Sequence, residues 1–318
     1  MERILITGAA GQIGAELTKF LIDIHGQNNV LATDIIEPNR YPLEDARYRK
    51  LDVLDSNALG NIVQKERPTQ IFHLAALLSA KSEKQPLTAW RLNMDGLLAI
   101  LEVARELKVP KVYWPSSIAV FGPDTPSQNT PQNTVMNPIT AYGISKLAGE
   151  RWCEYYYRKY QLDIRSLRYP GLIGYKSMPG GGTTDYAVEI FRKAIESEPY
   201  ECFLKADTYL PMMYMGDAIN ATLQLMQAPS TRIKVRSSYN LRGISCSPKD
   251  LFEGIKKFYP AFQISYKPDY RQEIADHWPD SIDDREARKD WGWQPQFDLE
   301  LMIKEILINL PKYLLHPK

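Results

Sequence analysis

Cysteine is scarce in this chain: three in 318 residues, Cys153, Cys202 and Cys246, far apart and odd in number. Such a set excludes a disulfide framework and any close-spaced zinc site built on cysteine. The thiols are expected to be buried and free, in a reducing compartment. Histidine is nearly as rare. His25, His73, His277 and His316 show no ligand spacing, so no structural metal is expected. An excess of one charge is missing as well: 39 Lys and Arg face 38 Asp and Glu, a formal net charge of +1. That balance argues against a polyanion-binding surface, and no nucleic-acid partner is expected. No apolar run reaches the ~20 residues that cross a bilayer, so no membrane partner is expected either. Nothing after Met1 reads as a secretory signal; the chain passes almost directly into Ile4-Leu5-Ile6. A cytoplasmic location is expected. Internal repeats and low-complexity tracts are absent.

What is present is an alternation of strand and helix signals. Hydrophobic residues make up 44 % and charged residues 24 %, ordinary for a globular chain. Strands are expected at 3–7, 29–34, 48–52, 70–75, 111–115 and 164–168. Helices are expected at 12–24, 57–66, 90–107 and 141–160. In the first of these, Ile13, Leu17, Phe20, Leu21 and Ile24 recur at helical spacing. Such alternation implies a parallel sheet covered on both faces. After about residue 175 the pattern loosens, with helices expected at 186–197, 216–227 and 247–258 and a return strand at 239–241. The expected architecture is α/β: a doubly wound parallel sheet over 1–175, with a return segment near 210–242, and a smaller α+β substrate domain over 176–318. Residues 123–138, rich in Pro, Thr, Gln and Asn, are expected to form a long surface loop.

The first strand runs into Thr7-Gly8-Ala9-Ala10-Gly11-Gln12-Ile13-Gly14, a G-x-x-G-x-x-G spacing between a strand and an amphipathic helix. Glycines are needed where the turn is tight, where backbone approaches a pyrophosphate and where helix meets strand. The helix N-terminus then offers free N–H groups to the anion. This is a Rossmann-type dinucleotide fingerprint. The second strand ends at Asp34, where a carboxylate accepts ribose hydroxyls and repels a 2′-phosphate. Ile35 and Ile36 bring no arginine to hold such a phosphate, so NAD is expected rather than NADP. Asp52 and Val53 end the third strand near the expected adenine. Leu74, Ala75 and Ala76 end the fourth, with small side chains along the expected cofactor path.

A second constellation is Tyr142-Gly143-Ile144-Ser145-Lys146, with Ser117 upstream. Tyr142 and Lys146 are four apart and share a helix face. A nearby ammonium favours the phenolate, which would fit tyrosine to take an alcohol proton. Ser117 follows the fifth strand and can orient the reacting hydroxyl.

Together these motifs resemble the extended short-chain dehydrogenase/reductase superfamily, over nearly the whole chain up to Trp291-Gly292-Trp293-Gln294-Pro295. The resemblance implies that Tyr142 is general base, that Lys146 tunes it and holds the nicotinamide ribose, and that Ser117 positions substrate. It places Asn93 near the cofactor and Tyr169-Pro170 along the nicotinamide. His73 stands where an asparagine is more usual.

Within that superfamily, Pro179-Gly180-Gly181-Gly182-Thr183-Thr184-Asp185-Tyr186-Ala187 looks like the short-chain L-threonine 3-dehydrogenases, as do Leu210–Tyr214 and His277-Trp278-Pro279. Free N–H groups of the glycines, with the Thr183 and Thr184 hydroxyls, would form a concavity for a small carboxylate. Ser79 would add a polar contact, Gly182 would belong to the same loop, and Trp278 would close over the substrate. The resemblance implies oxidation of L-threonine to 2-amino-3-oxobutanoate with NAD⁺. It also implies a homodimer paired through helices at 91–108 and 141–160, the second carrying Trp152, Tyr155, Tyr156, Tyr157 and Tyr160. Two other readings remain open: a nucleotide-sugar epimerase or dehydratase of the same superfamily, and a non-catalytic NAD-sensing regulator.

Overall fold

The segment Ile4–Thr7 is buried at every residue, the mark of a strand covered on both faces. The computed structural model describes residues 2–40, 43, 45–176 and 180–315. Pro179 and His316 lie outside them. The chain opens with β1 (Ile4–Thr7), α1 (Gln12–His25), β2 (Val30–Asp34), β3 (Arg47–Lys50), α2 (Ser56–Glu66) and β4 (Gln70–His73). Two short helices, α3 (Ser79–Lys84) and α4 (Pro86–Trp90), lead through a π turn (Arg91–Asp95) into α5 (Gly96–Glu106). Next come β5 (Lys111–Tyr113), β6 (Ser116–Ser117), α6 (Ala141–Tyr160), β7 (Asp163–Arg165), β8 (Leu167–Tyr169) and β9 (Gly171–Ile173). The remainder holds α7 (Tyr186–Ile195), β10 (Tyr200–Cys202), β11 (Leu210–Tyr214), α8 (Met215–Gln227), β12 (Tyr239–Asn240) and β13 (Ile244–Cys246). It ends with α9 (Pro248–Lys256), β14 (Ile264–Tyr266), α10 (Tyr270–Ala275), α11 (Arg285–Trp291) and α12 (Leu299–Leu315).

The main sheet has the order β3-β2-β1-β4-β5-β7, and every pair in it is parallel. This is the doubly wound order, with ligand space outside the carboxyl ends where the order reverses at β1 and β4. Alternate residues feed opposite layers. Leu5, Leu31, Ile71 and Val112 pack with Leu97, Leu101 and Trp114 on one face; Ile4, Ile6, Ala32 and Phe72 pack with Leu17, Leu21 and Leu225 on the other. A third apolar cluster joins Ile118–Phe121 to α7, α9 and α12.

Two expected strands are cut short. The fifth ends at Tyr113 and the chain resumes as β6; the sixth divides into β7 and β8 around Ser166. Pro115 has no N–H to donate to a ladder, so continuous pairing stops there. Beyond the break, β6 and β8 join β12 in a separate sheet of order β12-β8-β6. Pro170 repeats the interruption, after which β9 pairs with β11. Both prolines line the pocket. The helix expected at 90–107 is divided by the π turn. On α1, Leu17 and Leu21 are buried, whereas Phe20 and Ile24 lie off that stripe and are exposed. The three cysteines are buried and free. Among the described residues, no helix is long and apolar enough to cross a membrane.

Candidate active site

The turn after β1 is closed by contacts that leave no room for a side chain. Gly8 has φ +73°, and a Cβ there would lie 2.4 Å from the Ala75 nitrogen. The backbones at the ends of β1 and β4 therefore touch, which places Ala75 beside the turn. Helix α1 begins at an N-cap, Gly11, whose missing side chain accepts nothing, and no acidic residue occupies its first turn. Gly14 sits in that first turn, and the N–H groups there remain available to an anion. At the end of β2, Asp34 is fixed by the turn itself: Ala10 N–H donates to Oδ2 at 3.0 Å and Ile35 N–H to Oδ1 at 2.7 Å. A cradle for backbone phosphates with a carboxylate beside it fits a dinucleotide with a free ribose 2′-hydroxyl.

Helix α6 is set against β6 by its N-terminus. Thr140 Oγ1 accepts the Gly143 N–H at 3.0 Å, and a Cβ on Gly143 would lie 2.1 Å from the Ala119 carbonyl oxygen. This contact sets Tyr142 in the same pocket as Ser117, whose hydroxyl acts on the phenol. Burial pushes the Tyr142 phenol up to about 12, and the bond from Ser117 pulls it down. Lys146 is buried, and burial brings it down to about 7, with Cys153 and Glu150 pulling it up. Its ammonium is not bonded to the phenol. It donates to the Pro115 carbonyl at 2.6 Å and stands 5.5 Å from the centre of the Tyr142 ring.

One pocket gathers much of the expected set. Gln12, Ile13, Leu74, Ala76, Ser79, Ser117, Tyr142, Lys146, Tyr169, Gly182, Thr183, Thr184 and Trp278 all line it. Gly8, Gly11, Gly14, Asp34, Asp52, Val53, Ala75 and Asn93 are outside this lining. Of these, Asp52 Oδ1 accepts the Leu54 N–H at 2.9 Å, and Val53 is buried beside Gly96.

Three expected contacts are arranged differently. The glycine N–H groups do not form an open concavity: Gly181 and Gly182 donate to Asp185 Oδ2 at 2.8 and 2.9 Å. Thr183 N–H donates to Ser79 Oγ at 3.2 Å, and the Ser79 and Thr183 hydroxyls lie 3.1 Å apart. The chain's own carboxylate fills the expected anion site, and Asp185 itself lines the pocket. Burial pushes its carboxyl up, and the two glycine N–H bonds pull it down. The Tyr169 hydroxyl points into the core, accepting from Tyr113 at 2.7 Å and bonding Thr222. Asn93 acts as a clamp: its Oδ1 accepts the Leu77 N–H at 2.8 Å, and its Nδ2 donates to Leu77 O at 3.2 Å and Ser145 Oγ at 3.3 Å. His73 bonds Thr7 Oγ1 through Nδ1 at 2.7 Å, and burial brings it down to about 3. Asp185 is a charged pocket residue to which sequence reasoning gave no role. Its only signal is an acid placed directly after two threonines.

The profile of the NAD dependent epimerase/dehydratase family matches residues 4–241. The chain belongs to that family. NAD is the family's cofactor, and the turn, the open helix end and Asp34 suit it. An uncharacterized epimerase/dehydratase of Staphylococcus saprophyticus is 48 % identical over 309 residues, 96 % of each chain. Among solved structures, a GalE-like L-threonine dehydrogenase from Cupriavidus necator, in its holo form, is 51 % identical with a TM-score of 0.94, over 97 % of this chain and 100 % of that one. A partial consensus L-threonine 3-dehydrogenase is 52 % identical with a TM-score of 0.96, over 98 % of this chain and 99 % of that one. These epimerase/dehydratase relatives share the whole length of the fold described above.

Proposed function

We propose that this chain oxidises L-threonine at its 3-hydroxyl to 2-amino-3-oxobutanoate, with NAD⁺ reduced to NADH. The observation that carries this reading is the composition of the pocket. Ser117 and Tyr142 stand together in the same small cleft as the Asp185 carboxylate and the Ser79 and Thr183 hydroxyls. An amino acid with a β-hydroxyl presents the three groups that this cleft would recognise: an alcohol, an ammonium and a carboxylate.

NAD⁺, when bound, supplies the hydride acceptor. Gly8, Gly11, Gln12, Ile13 and Gly14 would carry its pyrophosphate, and Asp34 would hold the adenosine ribose. Asp52, Val53, Leu74, Ala75 and Ala76 would border the rest of its path. Ser117 orients the threonine hydroxyl. Tyr142 removes its proton as the Cβ–H bond breaks. Lys146 lies close enough to stabilise the phenolate once positive charge is needed there. Asp185 takes the ammonium group, whose charge offsets the cost of a buried carboxylate. Hydroxyls of Ser79, Thr183 and Thr184 take the substrate carboxylate, with Gly182 at the loop and Trp278 covering the cleft.

The same reading places the division of the chain near residue 175, with the 210–242 segment returning to the dinucleotide half. It places the protein in the cytoplasm, in threonine breakdown. Homodimer formation through α5 and α6 is supported by Trp152 and Tyr155, 40 % and 43 % exposed on α6. Tyr160 is exposed beside them, Tyr156 is buried, and Tyr157 stacks on Arg236 at 3.9 Å.

NADH formation at 340 nm tests the proposal, with L-threonine, L-serine, L-allo-threonine and UDP-sugars as substrates and NAD⁺ or NADP⁺ as acceptor. Selective turnover of L-threonine with NAD⁺ is expected. Turnover of a UDP-sugar without any amino-acid activity overturns the assignment and leaves the family intact.

A further inference from the structure

Tyr142, Lys146 and Glu150 are spaced four apart on α6 and form one row along the helix. The first two border the pocket. Glu150 lies a turn further on, fully buried and outside the lining. Its carboxylate is bound by Arg168 in bidentate fashion, Nε donating to Oε1 and Nη2 to Oε2, both at 2.8 Å. Arg168 is buried too, and its Nη1 donates to Gln132 O and Asn240 Oδ1, both at 3.0 Å. A buried ion pair needs this degree of satisfaction to persist.

One further bond is not needed for that balance. The Ser116 hydroxyl donates to Glu150 Oε1 at 2.7 Å. Ser116 and Ser117 are consecutive residues of β6, so their side chains point to opposite sides of the strand. Ser117 faces the Tyr142 phenol; Ser116 faces Glu150. A second tie lies one turn nearer the pocket, where Lys146 Nζ donates to the Pro115 carbonyl at 2.6 Å. The two residues that precede Ser117 are thus each fastened to α6, by side chains one helical turn apart, and Tyr142 is next in the row.

We propose that Ser116 and Glu150 are positioning residues: Glu150 holds β6 at a fixed distance from α6 through the Ser116 hydroxyl, and so keeps the Ser117 hydroxyl on the Tyr142 phenol. The inference rests on the roles read above for Ser117 and Tyr142. Small losses of alignment between reacting groups cost large factors in rate, so a strut of this kind should be visible in kcat. Glu150 lies outside the pocket; Ser116 borders it, but its hydroxyl is turned to Glu150.

Removing Glu150 strands the Arg168 cation in the interior and tests folding instead. Removing only the Ser116 oxygen leaves both ions paired. The experiment is therefore a double-mutant cycle with Ser116→Ala, Ser117→Ala and the double variant in the full-length protein. It reads kcat, the KM for NAD⁺ and for L-threonine, and the melting temperature. Ser116→Ala is expected to lower kcat about tenfold, with the KM for NAD⁺ and the melting temperature unchanged. In the Ser117→Ala background the same change is expected to have no further effect, because its target is gone. A merely structural role would act equally in both backgrounds. Equal factors in both, or an unchanged kcat in Ser116→Ala, overturn the proposal. An unchanged kcat in Ser117→Ala overturns the role of Ser117 itself, and the strut with it.

Discussion

Lys146 stands 5.5 Å from the ring centre of Tyr142, yet its ammonium bonds the Pro115 carbonyl and leaves the phenol to Ser117. Burial acts on both groups in opposite senses, raising the phenol to about 12 and lowering the ammonium to about 7. At neutral pH the phenol therefore keeps its proton, and the base must be generated by further positive charge in the pocket. Replacing Tyr142 by Phe is expected to reduce kcat by roughly 10²–10⁴-fold while NAD⁺ affinity, measured by calorimetry, stays the same. Near-normal turnover would remove Tyr142 as the base.

The sign of the pH dependence follows from the raised phenol. Threonine oxidation needs the deprotonated form, so log(kcat/KM) should rise with pH on its acid side with a slope near one. In Lys146→Met the buried ammonium is lost and that limb should move to higher pH, with activity at pH 7 reduced by about 100-fold or more. A limb that stays in place would mean that Lys146 serves only to fasten Pro115.

Asp34 is immobilised by two backbone N–H groups before any ligand arrives. On the proposed reading its charge stands where a ribose 2′-phosphate would come. Asp34→Asn should raise the ratio of kcat/KM for NADP⁺ over NAD⁺ by about tenfold or more, since removing like-charge repulsion is worth over a kcal/mol. Steady-state kinetics with both cofactors decide it; an unchanged ratio places the ribose elsewhere.

The Asp185 carboxylate serves the glycine loop and the pocket together. In Asp185→Asn the side-chain oxygen still accepts from the loop, but the charge proposed to hold a substrate ammonium is gone. The KM for L-threonine should rise about tenfold or more, with the KM for NAD⁺ unaltered. A parallel rise in both would show that the variant has loosened the loop.

His73 is buried with its pKa brought down to about 3. The unfolded chain binds that proton near 6.5. The stability carried by neutral His73 is therefore complete above about pH 6.5 and is lost as pH falls toward 3, at up to ~1.4 kcal/mol per pH unit. Urea unfolding of His73→Asn between pH 7 and 4 should show an acid slope smaller by about one proton. An identical slope would mean that His73 is already protonated in the fold.

The order of strands and helices, the glycine turn with Asp34 after it, and the spacing of Tyr142 from Lys146 were legible because each is local. Periodicity and turn chemistry act over a few residues, and a motif of eight residues carries its own geometry. The sequence also marked Ser79, Ser117, Thr183 and Trp278, but only the fold brings them to one cleft, since they come from four separate stretches of chain. Other features depended wholly on tertiary contacts. The sixth strand was divided at Ser166 because pairing is decided by what lies alongside. The hydroxyl of Tyr169 turned inward because Tyr113 and Thr222 were there to receive it. The glycine N–H groups were claimed by Asp185, four and three residues away, once the loop had folded back. Burial, a property of the whole assembly of elements, moved Tyr142 and Lys146 away from their solution behaviour. Sequence determined which chemical groups this protein has and roughly where along the chain they stand. The tertiary structure decided which of them are spent on one another and which face the pocket, because a hydrogen-bonding group satisfied inside the protein is not free to bind a ligand.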